Sequence, residues 1–131
     1  MSARSELSRL LSRSGSPSRV LPLDGPSLAV VLSRRESDVV VNFWARGCPA
    51  RGVLLPSIER LSDERPDLTV VTVNVDRAAR AADRHGVEQV PTVIRFRDGE
   101  RVATAVGGLS YDGLLERLDL EPAPAGEAHR S

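Results

Sequence analysis

Val39-Val40-Val41-Asn42-Phe43-Trp44, continued by Ala45-Arg46-Gly47-Cys48-Pro49-Ala50-Arg51, is the stretch on which the rest of the chain depends. The first six residues are β-branched or aromatic except Asn42, and they are apolar on both faces, as in a strand buried inside a sheet. A helical pattern starts at about Pro49, so Cys48 stands at a strand-to-helix junction. A thiol there faces the unpaired N–H groups and positive end of the helix dipole, which favour thiolate over thiol.

Downstream, Val53, Leu54, Ile58 and Leu61 fall at helical spacing and predict a helix from about Pro49 to Glu64. Pro56 lies inside it, removes one backbone hydrogen bond and is expected to kink it. Leu68–Val75 reads as a second buried strand, after which Asp76 is placed to cap a helix over about Arg77–His85 that Gly86 ends. Pro91–Phe96 and Arg101–Val106 predict two strands joined by Arg97-Asp98-Gly99-Glu100, where Asp-Gly signals a hairpin. Gly107-Gly108 breaks the last strand, and Ser110 caps a helix carrying Leu114, Leu115 and Leu118.

Upstream, Val20-Leu21-Pro22-Leu23 predicts an edge strand, since Pro22 has no N–H to give a neighbour. Asp24 caps a helix over about Pro26–Arg35 with Leu28, Val31 and Leu32 on one stripe. The order β α β α β α β β α implies parallel pairing early and antiparallel pairing late. The expected architecture is α/β: a mixed central sheet of about five strands flanked by about four helices. Residues 1–18, rich in Ser and Arg, and 121–131, with Pro-Ala-Pro-Ala-Gly, are expected to be disordered arms around a domain spanning 19–120.

With 131 residues, 40% hydrophobic and 27% charged, the chain suits one globular domain. The formal net charge is +0, so no global field draws it to nucleic acid or an anionic membrane. All 18 basic residues are Arg, a bias more plausibly genomic than functional. One Cys excludes an internal disulfide, and His85 and His129 have no metal-ligand spacing to it, so no metal is expected. No apolar run approaches the ~20 residues that span a bilayer, and the start of the chain lacks an apolar signal core. A cytoplasmic, monomeric protein is the expectation, with a covalent dimer through Cys48 open under oxidation.

Four separated features together resemble the thioredoxin family over about residues 19–120. They are Phe43-Trp44-Ala45 leading to Cys48, Pro56 in the following helix, Val90-Pro91-Thr92 after His85-Gly86-Val87, and Phe96-Arg97-Asp98-Gly99-Glu100 followed by Val106-Gly107. The resemblance implies a thioredoxin-like fold in which Cys48 matches the cysteine that attacks a client disulfide. It makes Pro91 the cis-proline, with Val90 supplying client-facing backbone and Trp44 packing beside the site. Trp44, Val90, Pro91 and Gly107 are the expected client groove.

The departures fall on one half of the family's chemistry. Arg51 stands where the resolving cysteine would, Gly47 replaces the tryptophan before the attacking cysteine, and Asn42 replaces the buried acid beneath the site. Resolution of a mixed disulfide loses its residues while attack and docking keep theirs. Arg51 and Arg46 are candidate partners for the thiolate or an incoming anion; a solvated arginine in an Arg-rich chain is the plainer alternative for Arg51. Cys48 is either a reactive exposed thiol or a relic without function. Asn42 reads as a satisfied buried amide, and His85 as a surface residue. A Cys-x5-Arg phosphatase loop would need Arg where Leu54 stands, and a peroxidase of peroxiredoxin type would want Thr where Ala45 stands.

Three functions are compatible with this pattern. The first is thiol–disulfide exchange through Cys48 alone on protein clients with disulfides or extended segments. It needs no cofactor beyond an external low-molecular-weight thiol as recycling reductant. The second is a non-catalytic binding or chaperone module that holds an extended segment beside Pro91. The third is a reductase that borrows a resolving thiol from a partner.

Overall fold

The computed structural model describes residues 20–34, 38–48 and 50–122. The arm expected to be disordered at 1–18, and all but residues 121 and 122 of the one expected at 121–131, lie outside them, as does Pro49. The elements run β1 (Leu21–Leu23), α1 (Gly25–Ser33), β2 (Asp38–Trp44), α2 (Arg51–Glu64), β3 (Leu68–Asn74), α3 (Ala79–Arg84), β4 (Thr92–Arg97), β5 (Glu100–Val106) and α4 (Tyr111–Arg117). Among the described residues the five strands form one sheet in the order β1-β3-β2-β4-β5.

The β-branched run of β2 occupies the middle of the sheet. It pairs parallel with β3, where Asn42 lies opposite Thr72, and antiparallel with β4, where Asn42 lies opposite Val93. β1 pairs parallel with β3 at one edge, where Pro22 costs no ladder bond to a further strand. β5 pairs antiparallel with β4 at the other. Asp98 and Gly99 take φ values of 54° and 82°, the two positive angles of a tight hairpin turn that Asp-Gly supplies at little cost.

The period of two along β2 sends its residues to opposite layers. Val40 joins Leu54, Ile58 and Leu61 of α2, Leu114 of α4 and Leu118 just beyond it in one core. Val39, Val41 and Phe43 join Leu28 and Val31 of α1 and Ala78 ahead of α3 in the other. Each of these side chains contributes about 1.5–3 kcal/mol when fully buried. α2 continues through Pro56, which lies exposed.

Two helix caps sit where the sequence puts them: Asp24 Oδ1 accepts from Ser27 N at 2.8 Å, and Ser110 Oγ accepts from Gly113 N at 3.2 Å. The Ser27 N–H holds the Asp24 carboxyl below the usual carboxylate range. Asp76 does not cap α3. That helix starts later, at Ala79, and its N-cap residue Ala78 makes no side-chain cap bond. Asp76 instead reaches back to the loop after β2, accepting from Arg46 N at 3.3 Å, while its own N–H donates to Asn74 Oδ1 at 2.9 Å. Gly86, with φ of 70°, ends α3 as expected.

A buried ion pair ties α4 to the sheet. Arg95 projects from β4 and donates to both oxygens of Asp38 on β2, at 3.0 and 2.9 Å. Its remaining nitrogen donates to the carbonyls of Leu118 and Asp119 just beyond α4, at 3.1 and 2.8 Å.

Candidate functional site

At the end of β2 the chain leaves the sheet through Ala45, Arg46 and Gly47, and Gly47 adopts φ of 80°. That left-handed residue, easy for Gly, turns the chain so that Arg46 and Gly47 form the exposed tip. Cys48 falls behind them. Its N–H donates to Ala45 O at 3.2 Å, and its carbonyl accepts from Arg51 N at 3.1 Å, closing the turn into α2.

The expected exposed thiol is not what this geometry gives. Cys48 is only 9% exposed, the residue being turned inward behind the tip. It nevertheless differs from core neighbours such as Val40 and Val41, which are at 0%. A strip of the residue still meets solvent at the head of α2.

The peptide between Val90 and Pro91 is cis. Thr92 Oγ1 donates to Gln89 O at 2.6 Å and shapes the approach to that bond. Pro91 is buried and Val90 half-buried. Pro91 O accepts from Gly107 N at 3.0 Å, which joins the loop before β4 to the loop after β5. Gly107 takes φ of 98° there. The neighbouring Gly108 comes so close to α2 that an added Cβ would lie 2.9 Å from Ala50 Cβ and 3.2 Å from its carbonyl oxygen. Pro91, Gly107, Gly108 and Ala50 are therefore linked in one wall, which ends two residues past Cys48 at the head of α2. Val53, 58% exposed on the first turn of α2, lies beside Gly108.

Sequence reasoning missed the close approach of Gly108. A pair of adjacent glycines after a strand was its signal, and it reads equally well as a strand break. Asp76 as the acceptor for Arg46 N–H left no such signal, since the contact spans 30 residues.

The arginines do not take up the positions expected of thiolate partners. Among the described residues, no hydrogen bond or ion pair joins the Arg51 side chain to Cys48. Its guanidinium lies over the Trp44 indole, 4.5 Å from the ring centroid. Arg51 is drawn to an accessible π-face in preference to an inward-turned sulfur. The Arg46 side chain is exposed, and its backbone N–H, not its charge, is the part engaged.

Arg51 and Trp44 border a cavity of about 270 Å³ that Asn42, Leu55, Glu59 and Thr72 also line. Asn42 is 4% exposed, and its Oδ1 has no hydrogen-bond partner among the described residues. The expected satisfied amide is thus half-satisfied at best. Among the described residues, no cluster of three or more His, Cys, Asp and Glu side chains could hold a metal ion.

The family model for thioredoxin matches residues 20–119, the whole of the sheet and its four helices. The chain belongs to the thioredoxin family. It is 35% identical over 80 residues to the thioredoxin of Chlamydia trachomatis, an overlap covering 61% of this chain and 78% of that protein. It is 35% identical over 85 residues to the thioredoxin of Bacillus subtilis, covering 64% and 82%. Among solved structures, Malassezia sympodialis thioredoxin, Mala s 13, superposes with a TM-score of 0.69 at 23% identity, over 78% of this chain and 90% of that one. That likeness concerns the fold. Within this thioredoxin-family chain the two-thiol motif is absent: Cys48 is the one cysteine, and Arg51 occupies the first turn of α2 three residues on. No helix among the described residues is long and apolar enough to cross a membrane.

Proposed function

We propose that this thioredoxin-family protein performs thiol–disulfide exchange through Cys48 alone. The observation that carries the reading is the position of the sole sulfur, at the head of α2, beside the end of the wall that runs through Gly108 and Gly107 to Pro91. A client disulfide lying in extended form along Val90 and Pro91 is presented to the exposed strip of Cys48. The Cys48 thiolate attacks one client sulfur, forms a mixed disulfide with it and expels the other as a thiolate. No second thiol follows in the chain, so an external thiolate must attack the mixed disulfide. It takes the client sulfur and returns Cys48 as a thiolate. The electrons come from the external thiol, and Cys48 only relays the bond. A reducing compartment such as the cytoplasm suits a lone thiol of this kind.

A second reading is favoured by the small exposure of Cys48 and the engagement of Arg51 with Trp44: a module that holds extended segments beside Pro91 without covalent chemistry. One experiment separates the two. The full chain is mixed with a peptide carrying a mixed aromatic disulfide, and the protein mass is read with and without added thiol. Exchange predicts a stoichiometric peptide adduct that added thiol removes and that Cys48→Ser abolishes. An unchanged mass, with peptide affinity equal in wild type and Cys48→Ser, would leave only the binding module.

A further inference from the structure

On the sheet face opposite α2, helices α1 and α3 lie side by side over the core that contains Phe43 and Phe96. They approach closely at one point, where a Cβ on Gly25 would stand 3.6 Å from Ala81 Cβ. Beyond it they part, and a groove of about 520 Å³ opens between them. That volume falls within the range of small-molecule sites. Ala29 and Leu32 of α1 and Ala81 of α3 give apolar walls, and His85 contributes at one end. The imidazole is wedged against Phe96, edge to face at 5.2 Å, and burial pushes it toward the neutral form.

Among the described residues the groove is lined by two cations and no carboxylate: Arg80 and Arg84, both exposed. Spaced i, i+4, they share one face of α3 and repel each other. Neither makes an ion pair or side-chain hydrogen bond among the described residues, although another exposed arginine, Arg60, does. Asp83 lies between them in sequence but does not line the groove. The first 19 residues of this chain carry four Arg and a single Glu, so charge opposes their lying here.

We propose that the groove binds small amphiphilic carboxylates, with the apolar chain between α1 and α3 and the head group on Arg80 and Arg84. Paired guanidinium groups suit a carboxylate through parallel charge-assisted hydrogen bonds, and the alanine and leucine walls offer such a ligand nothing polar. The site is separated from Cys48 by the sheet, so this assignment stands apart from the exchange reaction.

The test titrates octanoate into the full ¹⁵N-labelled chain below its aggregation threshold, with octylammonium as the matched cation. Octanoate is expected to give saturable amide shifts at Ala29, Leu32, Ala81 and Arg84, and octylammonium to bind roughly tenfold more weakly or worse. The Arg80→Glu/Arg84→Glu double variant should lose octanoate affinity by a similar factor. Arg80→Gln/Arg84→Gln, which removes charge without reversing it, should lose part of it. Circular dichroism of both variants should match the wild type, because neither arginine holds a partner. Absence of saturable shifts, shifts confined to other regions, equal affinity for the two amphiphiles, or affinity unaltered in both variants would each overturn the proposal.

Discussion

The Arg51 guanidinium rests over the Trp44 indole, 4.5 Å from its centroid, rather than against the Cys48 sulfur three residues earlier. The two positions are nevertheless held close together, because Arg51 N donates to Cys48 O at 3.1 Å. A turn closed by that bond holds its end Cα atoms within about 7 Å. Disulfides span Cα separations up to about 6.8 Å. Arg51→Cys is therefore expected to form an internal disulfide with Cys48. Thiol titration of the denatured variant should find two free thiols after reduction and none after mild oxidation. Two thiols persisting after oxidation would show that the head of α2 is held open by more than the side chain at 51.

Asn42 lies on the same sheet face, buried, with its Oδ1 lacking a partner among the described residues. A buried unsatisfied polar atom costs about 1–3 kcal/mol, and an apolar group of the same shape removes that cost. Asn42→Leu should leave stability unchanged or raise it by up to ~2 kcal/mol, measured as the urea midpoint at constant slope. A loss above ~1 kcal/mol would mean that the amide oxygen is bonded in solution.

The strand at 38–44, the caps at Asp24 and Ser110 and the turn at Asp98-Gly99 were legible because each depends on residues within a few positions of one another. Periodicity, a short side chain reaching its own backbone, and a positive φ are local physics. The site was legible only in part. Its place in the fold follows from the β2–α2 junction, but three of its properties come from distant segments. Asp76 has a carboxylate suited to a helix cap, yet the loop at Arg46 takes it. Arg51 could face the thiol three residues before it or the indole seven before it, and the strand decides by putting Trp44 on the α2 side. The burial of Cys48 depends on Gly47 turning the chain and on the 107–108 loop packing onto Ala50.

Arg95 is 8% exposed and Asp38 18%, measured on their side chains, so the pair that links β4, β2 and the end of α4 is largely desolvated. Its strength lies in the completeness of its bonding, since without Arg95 the largely buried Asp38 keeps only the exposed Arg97, 4.0 Å away. Arg95→Leu should cost about 3–5 kcal/mol by urea denaturation. Arg95→Leu combined with Asp38→Leu should cost much less than the sum of the single changes. Additive losses would show that the two residues act separately.

His85 supplies a pH dependence of defined sign. Burial, reinforced by Arg101 and Arg84, lowers its pKa below 6.5 in the folded protein. The unfolded chain then takes up the proton first as pH falls. The His85 contribution is complete above about pH 6.5 and is lost as pH falls toward the lowered folded value, levelling off beneath it. Relative to His85→Gln, the wild type should lose stability between pH 7 and pH 5. Parallel curves for the two proteins would place the imidazole in solvent.

Gly108 is the most direct test of the wall that runs from Pro91 to the head of α2. A methyl group there would sit 2.9 Å from Ala50 Cβ and 3.2 Å from Ala50 O, both rigid neighbours at the head of α2. Gly108→Ala must therefore push the loop after β5 away from α2, and Gly107 carries Pro91 with it through their 3.0 Å bond. Overpacking of this kind costs typically about 1–3 kcal/mol. The variant should fold with a lowered melting temperature and form the Cys48–peptide adduct more slowly, while a small alkylating reagent labels Cys48 at least as fast as before. The two rates respond to different things: the peptide needs the wall, whereas the reagent needs only the sulfur. If both fell together, the loop at 107–108 would be controlling access to Cys48 rather than holding a client beside it.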